Sequence, residues 1–290
     1  MLRLLNDLVK IPTVTTREEI FISSILEILP DNALIVDKNI FIPGRSRFVF
    51  AAHYDTIGIV LEDYLSSDMY VVGKRGLIDV KRGYMFRTLS DNEDIVGIAA
   101  DENTIHLIQP SEELPELQPF QYYPNMIITN TKIISPNLDN KLGVAVLLDL
   151  LRNYDIAILL LAGEEQGTTR LSRVIKHLEG RDIICIDSTS AINPHDERGI
   201  DRVSYRAIEG AGTGNIAPKD LVETIRKYIS REAISYSIHQ ISDATAMFRY
   251  GLRAINISYP VRYLHSPMEI ADRDDIDELV ELLINIIRDS

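Results

Sequence analysis

The run Ile156-Ala-Ile-Leu-Leu-Leu-Ala162, closed by Gly163-Glu164-Glu165, decides the fold. An apolar run without polar alternation predicts a strand buried on both faces, the kind that builds a parallel sheet. In open α/β sheets, ligands gather at the carboxyl ends of such strands. Two adjacent carboxylates at that end can divide two tasks, one holding a metal and the other moving protons. The same pair can equally be solvated loop residues, so the rest of the chain has to decide.

Outward from this strand the α/β pattern repeats. On the N-terminal side, Ile40–Ile42 and Arg47–Ala52 predict strands joined by the turn Pro43-Gly44-Arg45-Ser46, and the second ends at His53-Tyr54-Asp55. Earlier still, Thr16 and Glu19 have the spacing of a capping box. The helix it opens would carry Ile20, Ile22, Ile25, Leu26 and Leu29 on one face and break at Pro30-Asp31-Asn32. On the C-terminal side, Leu142–Leu151 is apolar nearly all round and predicts a buried helix. Helices near 169–179 and 218–230 and strands Ile183–Ile186 and Ala254–Ser258 follow. A last helix from about Asp274 places Ile276, Leu279, Val280, Leu283 and Ile287 on one face.

Between Leu61 and Asn137 the rhythm changes. Short β-like runs at 70–72, 83–86, 95–98, 104–108 and 126–129 are separated by polar, Gly or Pro breaks, and 109–125 reads as an exposed loop. The expectation is an α/β fold with a mixed sheet flanked by helices. Residues 1–60 and 136–290 would form it, with a small all-β subdomain inserted at 61–135.

Composition narrows the function. The chain has 290 residues, 46% of them hydrophobic, which is enough for a sizeable core. A net charge of −13 disfavours nucleic acid as a partner, because phosphate binding needs a basic surface. No apolar stretch approaches the ~20 residues of a membrane-spanning helix. The amphipathic start Met1–Lys10 lacks the continuous apolar core of a signal peptide. The single cysteine, Cys185, leaves no internal disulfide framework, so a cytoplasmic location is the default expectation.

Residues able to ligate metal collect at the ends of the predicted elements. His53 ends one strand, Glu164 and Glu165 another, and Asp187 a third; His265 follows a fourth, and Asp139 stands just before the buried helix. Each alone has a structural or solvated reading. Together they form the imidazole-and-carboxylate set of zinc and its neighbours in the transition series. Asp55 adds a detail: in an extended chain residues i and i+2 point the same way. Its carboxylate could therefore reach the second ring nitrogen of His53 and make it a better ligand.

Five segments then carry a resemblance: Ala52-His-Tyr-Asp-Thr-Ile-Gly58, Asn137-Leu-Asp-Asn-Lys-Leu-Gly143, Gly163-Glu-Glu-Gln-Gly167, Asp187, and Arg262-Tyr-Leu-His-Ser-Pro-Met-Glu269. In this order the chain resembles the M42 family of metallo-aminopeptidases, within the clan of dizinc exopeptidases. The resemblance implies two divalent cations, zinc first, with cobalt or manganese as alternatives. It implies that Asp139 bridges them, that His53 and Asp187 complete one site, and that Glu165 and His265 complete the other. Glu164 would be the general acid/base, with Asp55 beside it in the catalytic set. A cis peptide between Asp139 and Asn140 is implied as well. Peptides would be the substrates and a homo-oligomer the assembly.

The chain departs from the family pattern in places. The inserted segment is short, as if a dimerisation domain had been trimmed. The Gly-Gly-Thr-Asp element appears as Ile241-Ser-Asp-Ala-Thr245, where Asp243 matches the aspartate as a substrate contact. Arg262 is a second candidate substrate contact, with a packing role as its alternative. Gly210–Gly214 resembles a family loop near the substrate but also reads as a plain flexible turn, and His195-Asp196 reads equally as loop. An N-acyl amino acid deacylase, or another amidase on the same scaffold, is the competing enzyme reading. A non-catalytic binding or assembly relative is the competing class.

Overall fold

The computed structural model describes residues 1–66, 68–90, 93–108, 114, 117–190, 211–212, 215–228 and 242–289. Helices α1 (Leu2–Leu8) and α2 (Glu19–Ile25) precede strands β1 (Leu34–Val36), β2 (Asn39–Ile42) and β3 (Phe48–His53). The chain then enters β4 (Gly58–Ser66), β5 (Met69–Arg75), β6 (Met85–Ser90), β7 (Glu93–Ala99), β8 (Thr104–Leu107) and β9 (Pro119–Tyr122). It returns through β10 (Ile127–Ile128), β11 (Lys132–Ser135), α3 (Leu138–Leu151), β12 (Ala157–Leu161) and β13 (Asp182–Ser190). The short antiparallel pair β14 (Ala211–Gly212) and β15 (Asn215–Ile216) follows, then α4 (Lys219–Arg226) and α5 (Asp243–Arg249). Strands β16 (Ala254–Arg262) and β17 (Glu269–Asp272) and helix α6 (Arg273–Arg288) close the chain.

Nine of these strands form one sheet in the order β1-β2-β12-β3-β13-β16-β17-β11-β10. Its centre is parallel: β3 pairs with β12 and β13, and β13 with β16, all in the same direction. The outer strands are antiparallel, so the sheet is mixed. The run 156–162 supplies β12, whose every residue is buried because both faces are covered. Isoleucines and leucines at alternate positions serve opposite layers. Ile158 and Leu160 join the core under α1, α2, α3, α4 and α6, while Leu159 and Leu161 join the core under α5 and Leu171–Leu178. Strands β4 to β9 close into a separate six-stranded barrel in the order β4-β5-β8-β7-β6-β9. Its interior is packed by Phe86, Phe120, Tyr122 and Ile105.

The predicted buried helix is present as α3, with every residue from Leu138 to Leu148 buried. At its start Asp139 and Asn140 have non-helical backbone and are joined by a cis peptide, so regular helix begins after them, as the pattern suggests. Five local expectations differ. Within 109–125, read as an exposed loop, Pro119–Tyr122 forms the fully buried strand β9 of the barrel. The capping box does not form: Thr16 is left-handed (φ 78°), and its amide is taken by Glu18 Oε1 at 2.7 Å, so α2 starts without a side-chain cap. The face of α2 turns accordingly: Phe21 joins Ile25 in the core, Ile22 is half-buried and Leu26 is exposed. Residues 169–179 make turns and a single 3-10 turn, Ile175–His177, instead of an α-helix. The run 126–129, grouped with the insert by composition, pairs through β10 with β11 and so extends the large sheet.

The turn before β3 is fixed by close approach. A Cβ on Gly44 would lie 2.1 Å from the Ile156 carbonyl carbon, and backbone cannot swing away as a side chain can. Gly44→Ala should therefore lower stability by about 1–3 kcal/mol, the usual cost of overpacking. Urea unfolding checks this, and an unchanged midpoint would show that the β2–β3 turn yields freely.

Candidate metal centre

The parallel register brings the candidate ligands together. Leu161 of β12 stands beside His53 of β3, so Glu164 and Glu165 emerge just past the histidine. Cys185 of β13 stands beside Ala51, which sets Asp187 level with His53 two residues on. Asp187 thus lies within a strand that runs on to Ser190, rather than at its end. Gly163 and Gly167 bracket the 3-10 turn Glu164–Gln166 with φ of 86° and 62°. Left-handed backbone of this kind favours glycine, and it is what turns the two glutamates back over the sheet.

Two clusters share one carboxylate. His53 Nε2 lies 3.2 Å from Asp139 Oδ1 and 3.3 Å from Asp187 Oδ1. His265 Nε2 lies 3.2 Å from Asp139 Oδ2 and 3.5 Å from Glu165 Oε2. The two oxygens of Asp139 therefore face different imidazoles. One ligating atom each from His53, Asp139 and Glu165 fits within a mutual distance of 4.8 Å. Glu164 stands outside both pairs, with Oε2 3.9 Å from His53 Nε2.

The electrostatics call for positive charge. Burial pushes Glu164, Glu165 and Asp243 well above the usual carboxylate range and raises Asp187 too, with neighbouring carboxylates adding to the rise. Burial also opposes charge on Asp139, but contact with His265 and His53 outweighs it and holds that carboxyl low. Burial alone would depress His53, yet Asp139 and Asp187 hold its imidazole well above the ordinary value. Asp139 Oδ1 and Glu165 Oε1 are buried without a hydrogen-bond partner; the His53 contact at 3.2 Å lacks hydrogen-bond direction. Buried carboxylate oxygens left without donors are costly, and a cation removes that cost. With two imidazoles and three carboxylates, the donor set fits zinc or a neighbouring transition ion.

The surroundings fix these groups in place. His53 Nδ1 is 3.1 Å from the Asp55 carbonyl oxygen, while the Asp55 carboxylate is 3.7 Å from that nitrogen. The expected carboxylate–imidazole bond is thus replaced by a carbonyl, because the chain turns after β3 and aims the carboxylate at the next strand end. There it accepts from the Glu164 and Glu165 amides at 3.2 and 3.3 Å and from Thr15 Oγ1 at 2.8 Å. Asn140 Nδ2 donates to the Ile186 carbonyl at 2.7 Å. The Tyr259 hydroxyl lies 2.8 Å from the Leu138 carbonyl and 2.7 Å from Asn140 Oδ1, with one proton to give. Lys141 is fully buried, bonded to Thr13 Oγ1 and placed 4.0 Å over the Phe21 ring. Thr15 and Tyr259 have no motif or spacing in the sequence to mark them.

The substrate candidates separate. Asp243 opens α5 and is buried, and among the described residues neither carboxylate oxygen has a hydrogen-bond partner. Asp187, Asp55 and Asp139 crowd it electrostatically. Arg262 ends β16, where one of its ion pairs is to Asp272 at 3.4 Å. His195 and Asp196 lie outside the described residues, as do positions 210, 213 and 214 of the glycine loop. No helix among the described residues is long and apolar enough to cross a membrane.

Comparison with known proteins gives concordant results. The sequence model of the M42 glutamyl aminopeptidases matches residues 109–282. The fold is similar to that of an aminopeptidase from the archaeon Desulfurococcus kamchatkensis, at 20% identity and a TM-score of 0.82, over 99% of this chain and 94% of that one. It is similar to the TET1 peptidase of Pyrococcus horikoshii, at 19% identity and a TM-score of 0.81, over 99% and 98% of the two chains. That peptidase assembles into a tetrahedron or a large octahedral shell. A Thermotoga maritima protein described as an endoglucanase is similar at 19% identity and a TM-score of 0.71, over 98% and 96%.

Proposed function

This chain belongs to the M42 peptidase family, and on that premise we propose that it removes N-terminal residues from short peptides at a centre of two divalent cations. It is a peptide-bond hydrolase. His53 and Asp187 would hold one cation, Glu165 and His265 the other, and Asp139 both. The observation that carries this reading is the pairing of each Asp139 oxygen with a different imidazole, each beside its own second carboxylate. When bound, such a pair of cations acidifies water and polarises a carbonyl.

The chain's own groups would do the rest. Glu164 lies 3.9 Å from His53, outside the closer contacts of both clusters, and would take a proton from the attacking water and pass it to the departing amine. Asp55 grips the amides of both glutamates and so fixes the aim of Glu164. Asp243, an acid without a partner beside the centre, would receive the cationic amino terminus of the peptide. Arg262 would contact the substrate from the end of β16. Zinc is the first choice of ion, with cobalt or manganese as alternatives. A cytoplasmic homo-oligomer is the expected setting, with the inserted barrel as a trimmed dimerisation surface.

The similarity to a protein described as an endoglucanase does not redirect this reading. Glycoside hydrolysis needs two carboxyls flanking one bond at a set separation. Glu164 and Glu165 are successive residues turned toward different histidines.

A panel of aminoacyl anilides and N-acyl amino acids, offered to metal-free protein with zinc, cobalt or manganese added in turn, tests the function. Anilide hydrolysis that returns with a divalent cation is expected. Cleavage of the N-acyl amino acids alone would shift the assignment to a deacylase. No hydrolysis with any ion would favour a non-catalytic relative.

A further inference from the structure

We infer that Glu269 is a positioning residue for the metal centre, a carboxylate that binds no cation itself but locks two ligands of one site, Asp139 and His265, at a fixed spacing. The inference rests on the ligand assignment proposed above. Glu269 opens β17, is buried, and stands beside Ser135 of β11. Its Oε2 accepts from the Asp139 amide at 3.1 Å, and its Oε1 accepts from the His265 amide at 2.8 Å. Asp139 and His265 are 126 residues apart, and their side chains meet at 3.2 Å. One carboxylate therefore joins their backbones directly behind the point where their side chains converge.

Neither amide has an obvious substitute partner. The Asp139 amide lies in the non-helical backbone that opens α3, which supplies it with no intrahelical carbonyl. The His265 amide lies in the connection between β16 and β17, where Tyr263 and His265 are both left-handed, at φ of 56° and 61°. Asn137, two residues before Asp139, is left-handed too, at φ of 60°. Non-glycine residues rarely adopt this conformation unless their surroundings impose it. The ligand-bearing segments thus come from irregular backbone, and Glu269 ties the two together. Asp55 makes the corresponding grip on the segment of Glu164 and Glu165.

The geometry requires two acceptor oxygens on one side chain. Both oxygens must accept, and a carboxamide offers one acceptor and one donor. Glu269→Gln keeps the volume but turns an NH₂ toward a backbone N–H. The expected result is about a 10–100-fold weaker second cobalt equivalent, the usual cost of losing an outer partner of a metal ligand. The equivalent held by His53 and Asp187 shares only Asp139 with that site and should weaken by less.

Cobalt titration of metal-free protein, followed by calorimetry and visible absorption, reads the two equivalents separately. A selective loss and an altered band for one equivalent, with far-UV circular dichroism unchanged, support the inference. Wild-type affinity and spectrum for both equivalents overturn it, even if thermal stability falls, because a purely structural role would do just that. Should Glu269→Gln fail to fold, Glu269→Asp keeps both acceptors on a shorter arm. An intermediate loss is then expected, and none would refute the role. Wild-type protein that bound no cobalt would instead remove the ligand assignment, and this inference with it.

Discussion

Glu164→Gln should leave both cations bound and lower kcat by about 10²–10⁴-fold, the contribution typical of a positioned general acid/base. The substitution is nearly isosteric and removes only the ability to take and return a proton. Glu164 is placed for that task. Its carboxylate lies 3.9 Å from His53 Nε2, outside the closer contacts that the two ligand clusters make. Its backbone amide is held by Asp55 Oδ1 at 3.2 Å, so the side chain projects from a fixed point. Burial raises its carboxyl well above the ordinary range, and the nearby carboxylates of Asp187, Asp243 and Asp139 add to the rise. The measurement is kcat with an aminoacyl anilide, together with metal content by atomic absorption. Near-wild-type kcat would end the assignment. A fall accompanied by loss of a cation would mean that Glu164 is a ligand.

How much of this could be read from the chain depends on whether the signal is local. The apolar run before Glu164 was enough to define β12, because a strand covered on both faces has no other pattern to show. The continuous apolar stretch of α3 was equally direct. Residues 169–179 misled for a physical reason. Leu171, Val174 and Leu178 are buried at helical spacing, but a succession of turns and a 3-10 segment can bury residues three apart as well. The capping box failed because a neighbouring carboxylate, Glu18, competes for Thr16, and Lys38 then pairs with Glu18 at 2.8 Å.

In the centre, residue type and position at strand ends marked His53, Glu164, Glu165 and His265 as a group. The division into two sites came from the resemblance, and the opposed oxygens of Asp139 are its geometric counterpart. The supporting contacts stayed hidden. Asp55 was legible as a neighbour of His53 and Glu269 as the end of the segment from Arg262, but their hold on the amides of Glu164 and Asp139, more than a hundred residues away, leaves no periodicity or spacing to read.

The proposed sharing of Asp139 makes a stronger prediction than any single ligand does. Asp139→Ala should empty both sites, with activity falling at least as far as in Glu164→Gln. Removing Asp139 leaves His53 with Asp187 and His265 with Glu165, a pair of two-ligand remnants. Catalytic zinc sites rely on three protein ligands, so neither remnant should retain its ion. The affinity loss should exceed the about 10–100-fold that an outer partner costs. Glu165→Ala is the contrast, since it takes a ligand from the His265 side alone and should cost one cation per chain. Metal content after exhaustive dialysis separates the cases. One tightly held cation surviving in Asp139→Ala would show that Asp139 serves a single site. Thermal stability gives an independent reading, because a cation that binds only the folded chain raises the midpoint by mass action. Added zinc should raise the wild-type midpoint, raise that of Glu165→Ala by less, and leave Asp139→Ala unchanged, so the graded response tests the shared carboxylate without any assay of turnover.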